Sequence, residues 1–187
     1  HKHSSICYLR DNGGNGFLFA NLGTYQFGHT NGTATLTMDV GDVVFSNAAG
    51  ARMIAYNTAT VSGNSSNRIL VNHGHIVADG SPLTLSTPIE ADAAAHFIAT
   101  NGGTINLSGT HLKMFATNTH LVGDQDSGST VRIYGSGYAA GAFPALGGVA
   151  IGNVVLAGGD FVVNAGSNTL HMDVSAASGG IPTASIS

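Results

Sequence analysis

The sequence predicts an all-β protein, a right-handed parallel β-helix (β-solenoid), and three observations support this prediction. Short runs rich in β-branched and aromatic residues recur along the chain, glycines separate them, and no segment shows the periodicity of a long helix. The 27 glycines interrupt the chain too often for ordinary helices, because glycine inside a helix costs about 1 kcal/mol relative to alanine. The predicted strands include residues 33–40, 104–108, 130–134 and 161–164.

A degenerate repeat connects these strands. In each copy a polar or aromatic residue opens a short apolar strand, a Gly-containing turn follows, and a second strand ends at Gly or Ser. The copies begin at Phe17, Val43, His75, His96, His120 and Asn153. These starts lie 21 to 33 residues apart, a period typical of one turn of a β-solenoid. The longer intervals predict outward loops, notably at 136–148.

Three successive copies begin with histidine, and their alignment predicts a histidine ladder on one face. The ladder consists of His75, His96 and His120. Adjacent parallel strands lie about 4.8 Å apart, and two charged imidazoles at that spacing repel each other. We therefore expect the ladder to be largely neutral near pH 7.

The alternative fold is a β-sandwich, whose strands also recur between Gly-rich turns but alternate apolar and polar residues more strictly. In either fold we expect a single domain over residues 1–187. The sequence begins at His1 without an initiator Met, which predicts a fragment or a processed part of a longer chain.

Composition argues against several classes of partner. Charged residues make up only 9% of the chain, against about 25% in an average domain. The 6 Lys and Arg against 10 Asp and Glu give a net charge of −4, which predicts no nucleic-acid binding. No apolar run approaches the roughly 18 residues of a membrane span, so we expect no membrane insertion. Cys7 is the single cysteine, which excludes an intrachain disulfide.

The segment HFIATNGGTINLSGT, residues 96–110, resembles a coil of the pectin-lyase-like β-helices found in phage tail spikes, tail fibres and bacterial adhesins. The resemblance is clearest over residues 68–168. It implies an elongated homotrimer that contacts bacterial surface glycans and sometimes cleaves them. The expected location is therefore a virion or an extracellular surface, in contact with other virion proteins.

These observations favour a non-enzymatic structural and receptor-binding component of a bacteriophage appendage, a tail fibre or tail spike. One alternative is a polysaccharide depolymerase of the same architecture, and another is the passenger domain of a bacterial adhesin. A depolymerase needs two cooperating carboxyl groups, and the chain has one Glu and nine Asp. The pair Asp124 and Asp126 lies in a Gly/Ser turn, where Asp side chains typically cap backbone amides. We predict no catalytic residues.

Exposed aromatic rings are the candidate glycan contacts, because sugar rings stack on them. The chain has no Trp, and most Phe residues lie within predicted strands. The candidate binding residues are Tyr134, Tyr138 and Phe143. The last two lie in the long insertion, which could equally pack against a neighbouring subunit.

Two H-x-H sequences, His1/His3 and His73/His75, are the candidate metal ligands. On a strand, residues two apart project to one face, so both imidazoles of a pair could bind one ion. On the threefold axis of a trimer, three copies of His73 and His75 would supply six nitrogens. Such a shell suits iron or another transition metal, and the resemblance implies that phage fibre tips use H-x-H in this way. No other cofactor is predicted.

Overall fold

The computed structural model describes residues 5–27, 32–63, 65–108, 113–116, 118–135, 145–146, 148–159, 162–163, 170–173 and 184–186. Within these residues the chain is all β-structure without a helix, and every strand pair is parallel. The protein is a parallel β-solenoid, as the sequence predicted. The sandwich alternative fails because its sheets are antiparallel. No helix in the described part is long and apolar enough to cross a bilayer.

The strands, numbered in chain order, have the following bounds: β1 Ser5–Arg10, β2 Phe17–Asn21, β3 Thr24–Phe27, β4 Ala34–Val40, β5 Val43–Asn47, β6 Arg52–Ala55, β7 Ala59–Gly63, β8 Arg68–Asn72, β9 His75–Asp79, β10 Pro82–Ser86, β11 Ile89–Ala91, β12 His96–Thr100, β13 Thr104–Leu107, β14 Lys113–Phe115, β15 His120–Gly123, β16 Thr130–Gly135, β17 Ala145–Leu146, β18 Gly148–Gly152, β19 Val154–Gly159, β20 Val162–Val163, β21 Leu170–Asp173 and β22 Ala184–Ile186.

Successive strands belong to three different sheets. Every third strand, starting from β1, belongs to sheet A, whose order is β1-β4-β7-β10-β13-β16-β19-β22. Sheet B contains β2-β5-β8-β11-β14-β17-β20, and sheet C contains β3-β6-β9-β12-β15-β18-β21. One turn of the solenoid therefore consists of three strands, one from each sheet, and the next turn pairs with it strand by strand.

The repeat predicted from the sequence had two strands per turn, and all its copies were expected to begin at the same strand of the turn. Both points need correction. The starts at Phe17 and Val43 are in register with each other in sheet B, whereas His75, His96 and His120 are in register in sheet C. The start at Asn153 immediately precedes β19 of sheet A. Three-residue strands such as β11 give too weak a periodic signal to reveal the third strand of each turn.

Alternation along each strand places one set of side chains inside the solenoid. In β13 the side chains of Ile105 and Leu107 are fully buried, and Thr104 and Asn106 are half-exposed. The inward columns of the three sheets meet in one continuous core whose largest fully buried side chains include Phe45, Phe97 and Phe115.

A column of buried asparagines interrupts this apolar core where three strands of sheet B end. Asn21, Asn47 and Asn72 are each nearly or fully buried and occupy the same register position in β2, β5 and β8. The Nδ2 of Asn21 donates to Oδ1 of Asn47 at 2.8 Å, and Nδ2 of Asn47 donates to Oδ1 of Asn72 at 2.8 Å. The side-chain amides thus form a chain of hydrogen bonds along the solenoid axis.

The corners between sheets accommodate backbone conformations that strands do not. Between β12 and β13 the chain turns through Asn101 and Gly102, whose φ angles are 53° and 79°. Asparagine and glycine are the residues that adopt this left-handed region most readily. The side chain of Asn101 also donates to Asp79 of the preceding turn at 2.6 Å, so neighbouring corners are linked.

Candidate functional site

The outer face of sheet A carries two columns of small polar side chains. Alternation with buried residues turns these side chains outward, and parallel pairing aligns them from turn to turn. We call this group the hydroxyl array. One column contains Thr35, Thr60, Thr84 and Asn106, and the other contains Thr37, Ser62, Ser86 and Ser108.

The hydroxyl array has a nearly constant two-dimensional spacing. Neighbouring members of a column are about 4.8 Å apart, the separation of adjacent strands, and the two columns are about 6.6 Å apart, two residues along a strand. All eight side chains are half-exposed. Within the described residues, Thr37 and Ser62 share the one side-chain hydrogen bond of the array, at 3.4 Å. Most of its hydroxyls therefore face solvent with their donors and acceptors available.

A tyrosine lies at each end of the second column. Tyr8 pairs in register with Thr37, and Tyr134 follows Ile133, the register partner of Leu107. The Tyr8 side chain is 51% exposed, whereas Tyr134 is half-exposed. Five strand-to-strand steps, about 24 Å, separate the two rings.

An arginine contacts each of these tyrosines. The guanidinium carbon of Arg10 lies 4.6 Å from the centroid of the Tyr8 ring, and that of Arg132 lies 5.7 Å from the centroid of Tyr134. Arg132 Nη1 also donates to the Tyr134 hydroxyl at 3.3 Å. Arg10 forms an ion pair with Asp39, at 2.6 Å between Nη2 and Oδ2. Both rings are thus held by a cation–π contact.

The predicted binding residues have different outcomes. Tyr134 lies on the outer face of sheet A at the end of the hydroxyl array. Tyr138 and Phe143 lie outside the described residues. The sequence interpretation missed Tyr8 and the array itself. The sequence pattern that could have revealed the array is a repeated aliphatic residue between two polar ones: TLT at 35–37, TVS at 60–62, TLS at 84–86 and NLS at 106–108.

The outer face of sheet C carries the histidine ladder. His75, His96 and His120 are register partners on β9, β12 and β15, as predicted, and Arg52 of β6 precedes them in the same column. The ring centroids of His75 and His96 are 4.7 Å apart, and those of His96 and His120 are 4.3 Å apart. Both ring pairs have an edge-to-face geometry.

The environment of the ladder lowers the pKa of its two flanking rings. Partial burial, followed by the proximity of His96 and Arg52, lowers the pKa of His75. Partial burial, followed by the proximity of His96, lowers the pKa of His120. Nδ1 of His96 lies 2.9 Å from the backbone oxygen of Ala94.

The two residues of the H-x-H pair do not share a strand. His75 is the first residue of β9, but His73 lies in the turn after β8, so the prediction that one strand carries both is wrong for His73. Nδ1 of His73 lies 2.7 Å from Oδ2 of Asp92, while the His75 ring contacts His96. In the described part of the chain, no three His, Cys, Asp or Glu side chains are grouped so that they could hold one metal ion. Metal binding by His73 and His75 on a threefold axis stays a prediction.

Most carboxylates of the described residues are engaged in hydrogen bonds or ion pairs. Oδ1 of Asp124 accepts the backbone N–H of Asp126 at 3.2 Å, and Oδ2 accepts the hydroxyl of Ser127 at 2.7 Å. Asp124 therefore caps its own turn. Four other Asp side chains pair with a side chain of a neighbouring turn: Asp39 with Arg10, Asp42 with Asn67, Asp79 with Asn101 and Asp92 with His73.

Comparison with known proteins adds no family: no protein-family model, characterised protein or solved structure matches the chain.

Proposed function

We propose that this protein is a non-enzymatic structural and receptor-binding segment of a bacteriophage tail fibre or tail spike. In this proposal it binds bacterial surface glycans through the outer face of sheet A. The observation that carries the proposal is the hydroxyl array with Tyr8 and Tyr134 at its ends. Glycans offer closely spaced hydroxyls along their length and an apolar face on each ring. The array and the two tyrosines match these two properties.

The array suits an extended glycan that lies along the solenoid axis. A hydroxyl side chain both donates and accepts a hydrogen bond, so it tolerates either orientation of a sugar hydroxyl. The exposed ring of Tyr8 and the half-exposed ring of Tyr134 provide surfaces on which a sugar ring stacks. Each contact is weak in water, since a hydrogen bond contributes about 1 kcal/mol net. A homotrimer, which the family resemblance implies, would present three arrays and raise the overall affinity by effective concentration.

The non-enzymatic part of the proposal is supported by the carboxylates. Those near the array are committed to other contacts: Asp39 to Arg10, and Asp42 to Asn67. Glycan cleavage needs two carboxyl groups that flank one glycosidic bond. The low charge of the chain, 9% of its residues, suits a surface on a virion or outside a cell, where other virion proteins and host glycans are the partners.

The test is binding of the purified protein to an array of bacterial surface polysaccharides. The variant Thr60→Val/Thr84→Val removes two hydroxyls while keeping side-chain shape, so binding should weaken about thirtyfold, at about 1 kcal/mol per hydrogen bond. Tyr8→Ala should weaken it further. Ser46→Ala, a change on the outer face of sheet B, is the matched control and should bind normally.

The outcome that contradicts the proposal is equal binding by the double variant and the Ser46→Ala control. Incubation with the bound polysaccharide adds a second readout. Release of new reducing ends would contradict the non-enzymatic assignment and indicate a depolymerase instead.

A further inference from the structure

The histidine ladder is a pair of overlapping two-histidine sites that share their central ring. His96 has His75 on one side and His120 on the other, with ring centroids 4.7 and 4.3 Å away. An imidazole nitrogen lies about 2.0–2.1 Å from a bound first-row metal ion, so two ligands of one ion have nitrogens within roughly 4 Å of each other. Ring centroids 4.7 and 4.3 Å apart are compatible with this condition for either neighbouring pair.

The central ring is already oriented for coordination. Nδ1 of His96 is 2.9 Å from the carbonyl oxygen of Ala94. A carbonyl only accepts hydrogen bonds, so Nδ1 carries the proton, and Nε2 of the neutral ring has a free lone pair. A hydrogen bond from the second ring nitrogen to a backbone carbonyl is the usual support of a metal-binding histidine.

The flanking rings satisfy the other requirement, which is a fixed position beside the central ligand. Each flanking ring is in register with His96 on the adjacent strand, so the strand backbone fixes its distance from the central ligand.

We propose that His96, together with either His75 or His120, binds one Cu²⁺ ion per chain on the outer face of sheet C. Imidazole suits copper, nickel and zinc, and the Irving–Williams order makes copper the tightest of these ions. Within the described residues no third His, Cys, Asp or Glu completes the group, so water fills the remaining positions. The stoichiometry is one because a second ion would need Nε2 of His96 again.

This site is separate from the H-x-H pair. Its ligands come from adjacent strands instead of adjacent positions on one strand, and it requires no trimer. His73 is not part of it, because the His73 ring faces Asp92. The geometry therefore predicts a distinctive response to substitution: loss of the shared ring removes both pairs, whereas loss of either flanking ring leaves one pair intact.

The experiment is a Cu²⁺ titration at pH 7.5, monitored by isothermal titration calorimetry and by electron paramagnetic resonance. All proteins carry His1→Gln/His3→Gln, since those residues form a second H-x-H sequence. The parent should bind one ion with two equatorial imidazole nitrogens. His96→Gln should weaken binding by about 10- to 100-fold or more, a loss at least as large as that caused by removing an outer-shell partner.

The flanking variants His75→Gln and His120→Gln should each still bind one ion through two nitrogens, and the combined variant should lose the site. His73→Gln is the matched control and should bind as the parent does. Unchanged binding by His96→Gln would overturn the proposal. Loss of binding in His73→Gln would also overturn it and assign the ion to the H-x-H pair.

Discussion

Replacing Asn47 by alanine tests whether the buried asparagine column stabilises the solenoid. The Asn47 side chain is fully buried and makes three hydrogen bonds: it accepts from Asn21 and donates to Asn72, both at 2.8 Å, and donates to the backbone oxygen of His75 at 3.1 Å. At about 1 kcal/mol for each bond, alanine should cost about 3 kcal/mol. The cavity left by the carboxamide adds to this cost.

Two remaining contacts limit the loss. The Nδ2 of Asn21 keeps the oxygen of Arg52 at 2.9 Å, and the Oδ1 of Asn72 keeps the N–H of Gly74 at 3.1 Å. We therefore expect a total of about 3–5 kcal/mol. Equilibrium urea unfolding followed by far-UV circular dichroism measures it, with the outward-facing Asn106→Ala as control. A loss below about 1 kcal/mol, the value of a single hydrogen bond, would show that the asparagine column does not stabilise the solenoid.

The remaining predictions concern packing and ionisation. Leu107→Ala should cost about 2–5 kcal/mol because it leaves a cavity in a fully buried position, while Asn106→Ala should cost little; equal costs in urea unfolding would contradict the strand assignment. Burial, then the nearby Cys7 thiol, raises the pKa of Tyr25. The stability that this contributes is present below about pH 10, the usual tyrosine pKa, and is lost as the pH rises through the higher folded value. Absorbance titration at 295 nm should show a late phase that Tyr25→Phe removes. In metal-free protein, NMR titration should give pKa values below the ordinary 6.5 for His75 and His120; their contribution to stability is full above pH 6.5 and falls as the pH drops below it. Ordinary values would show that the two rings are not partly buried beside His96.

The sequence was sufficient for the fold class and for the histidine ladder, for a physical reason. In the segments that begin at His75, His96 and His120, the same residue type opens each strand and the corner glycines recur at similar distances. Parallel pairing then brings identical positions together, so a repeat in sequence becomes a ladder in space. The upstream turns lack that histidine. The copies that begin at Phe17 and Val43 were consequently aligned with the histidine strands of sheet C, although they lie in sheet B.

The asparagine column was not predicted, because asparagine is depleted in strands and here stands at the strand ends, where a turn explains it equally well. A usable signal was nonetheless present. Three five-residue runs, FLFAN, VVFSN and RILVN, end in Asn21, Asn47 and Asn72. An isolated Asn at a strand end indicates a cap, whereas the same Asn at the end of three strands of one sheet indicates a ladder. Distinguishing them requires knowing which strands are neighbours, which depends on the number of strands per turn.

The same register that builds the core also arranges the outer faces, and this links function to stability. A shift of one residue in a strand would turn the buried side chains outward and the hydroxyl array inward. The turns differ in length: 21 residues separate His75 from its partner His96, and 24 separate His96 from His120. Yet the strands of these turns pair without a register shift, so the extra residues are accommodated at the corners. Substitutions on an outer face can therefore change what the protein binds at little cost in folding, whereas insertions are tolerated only between strands.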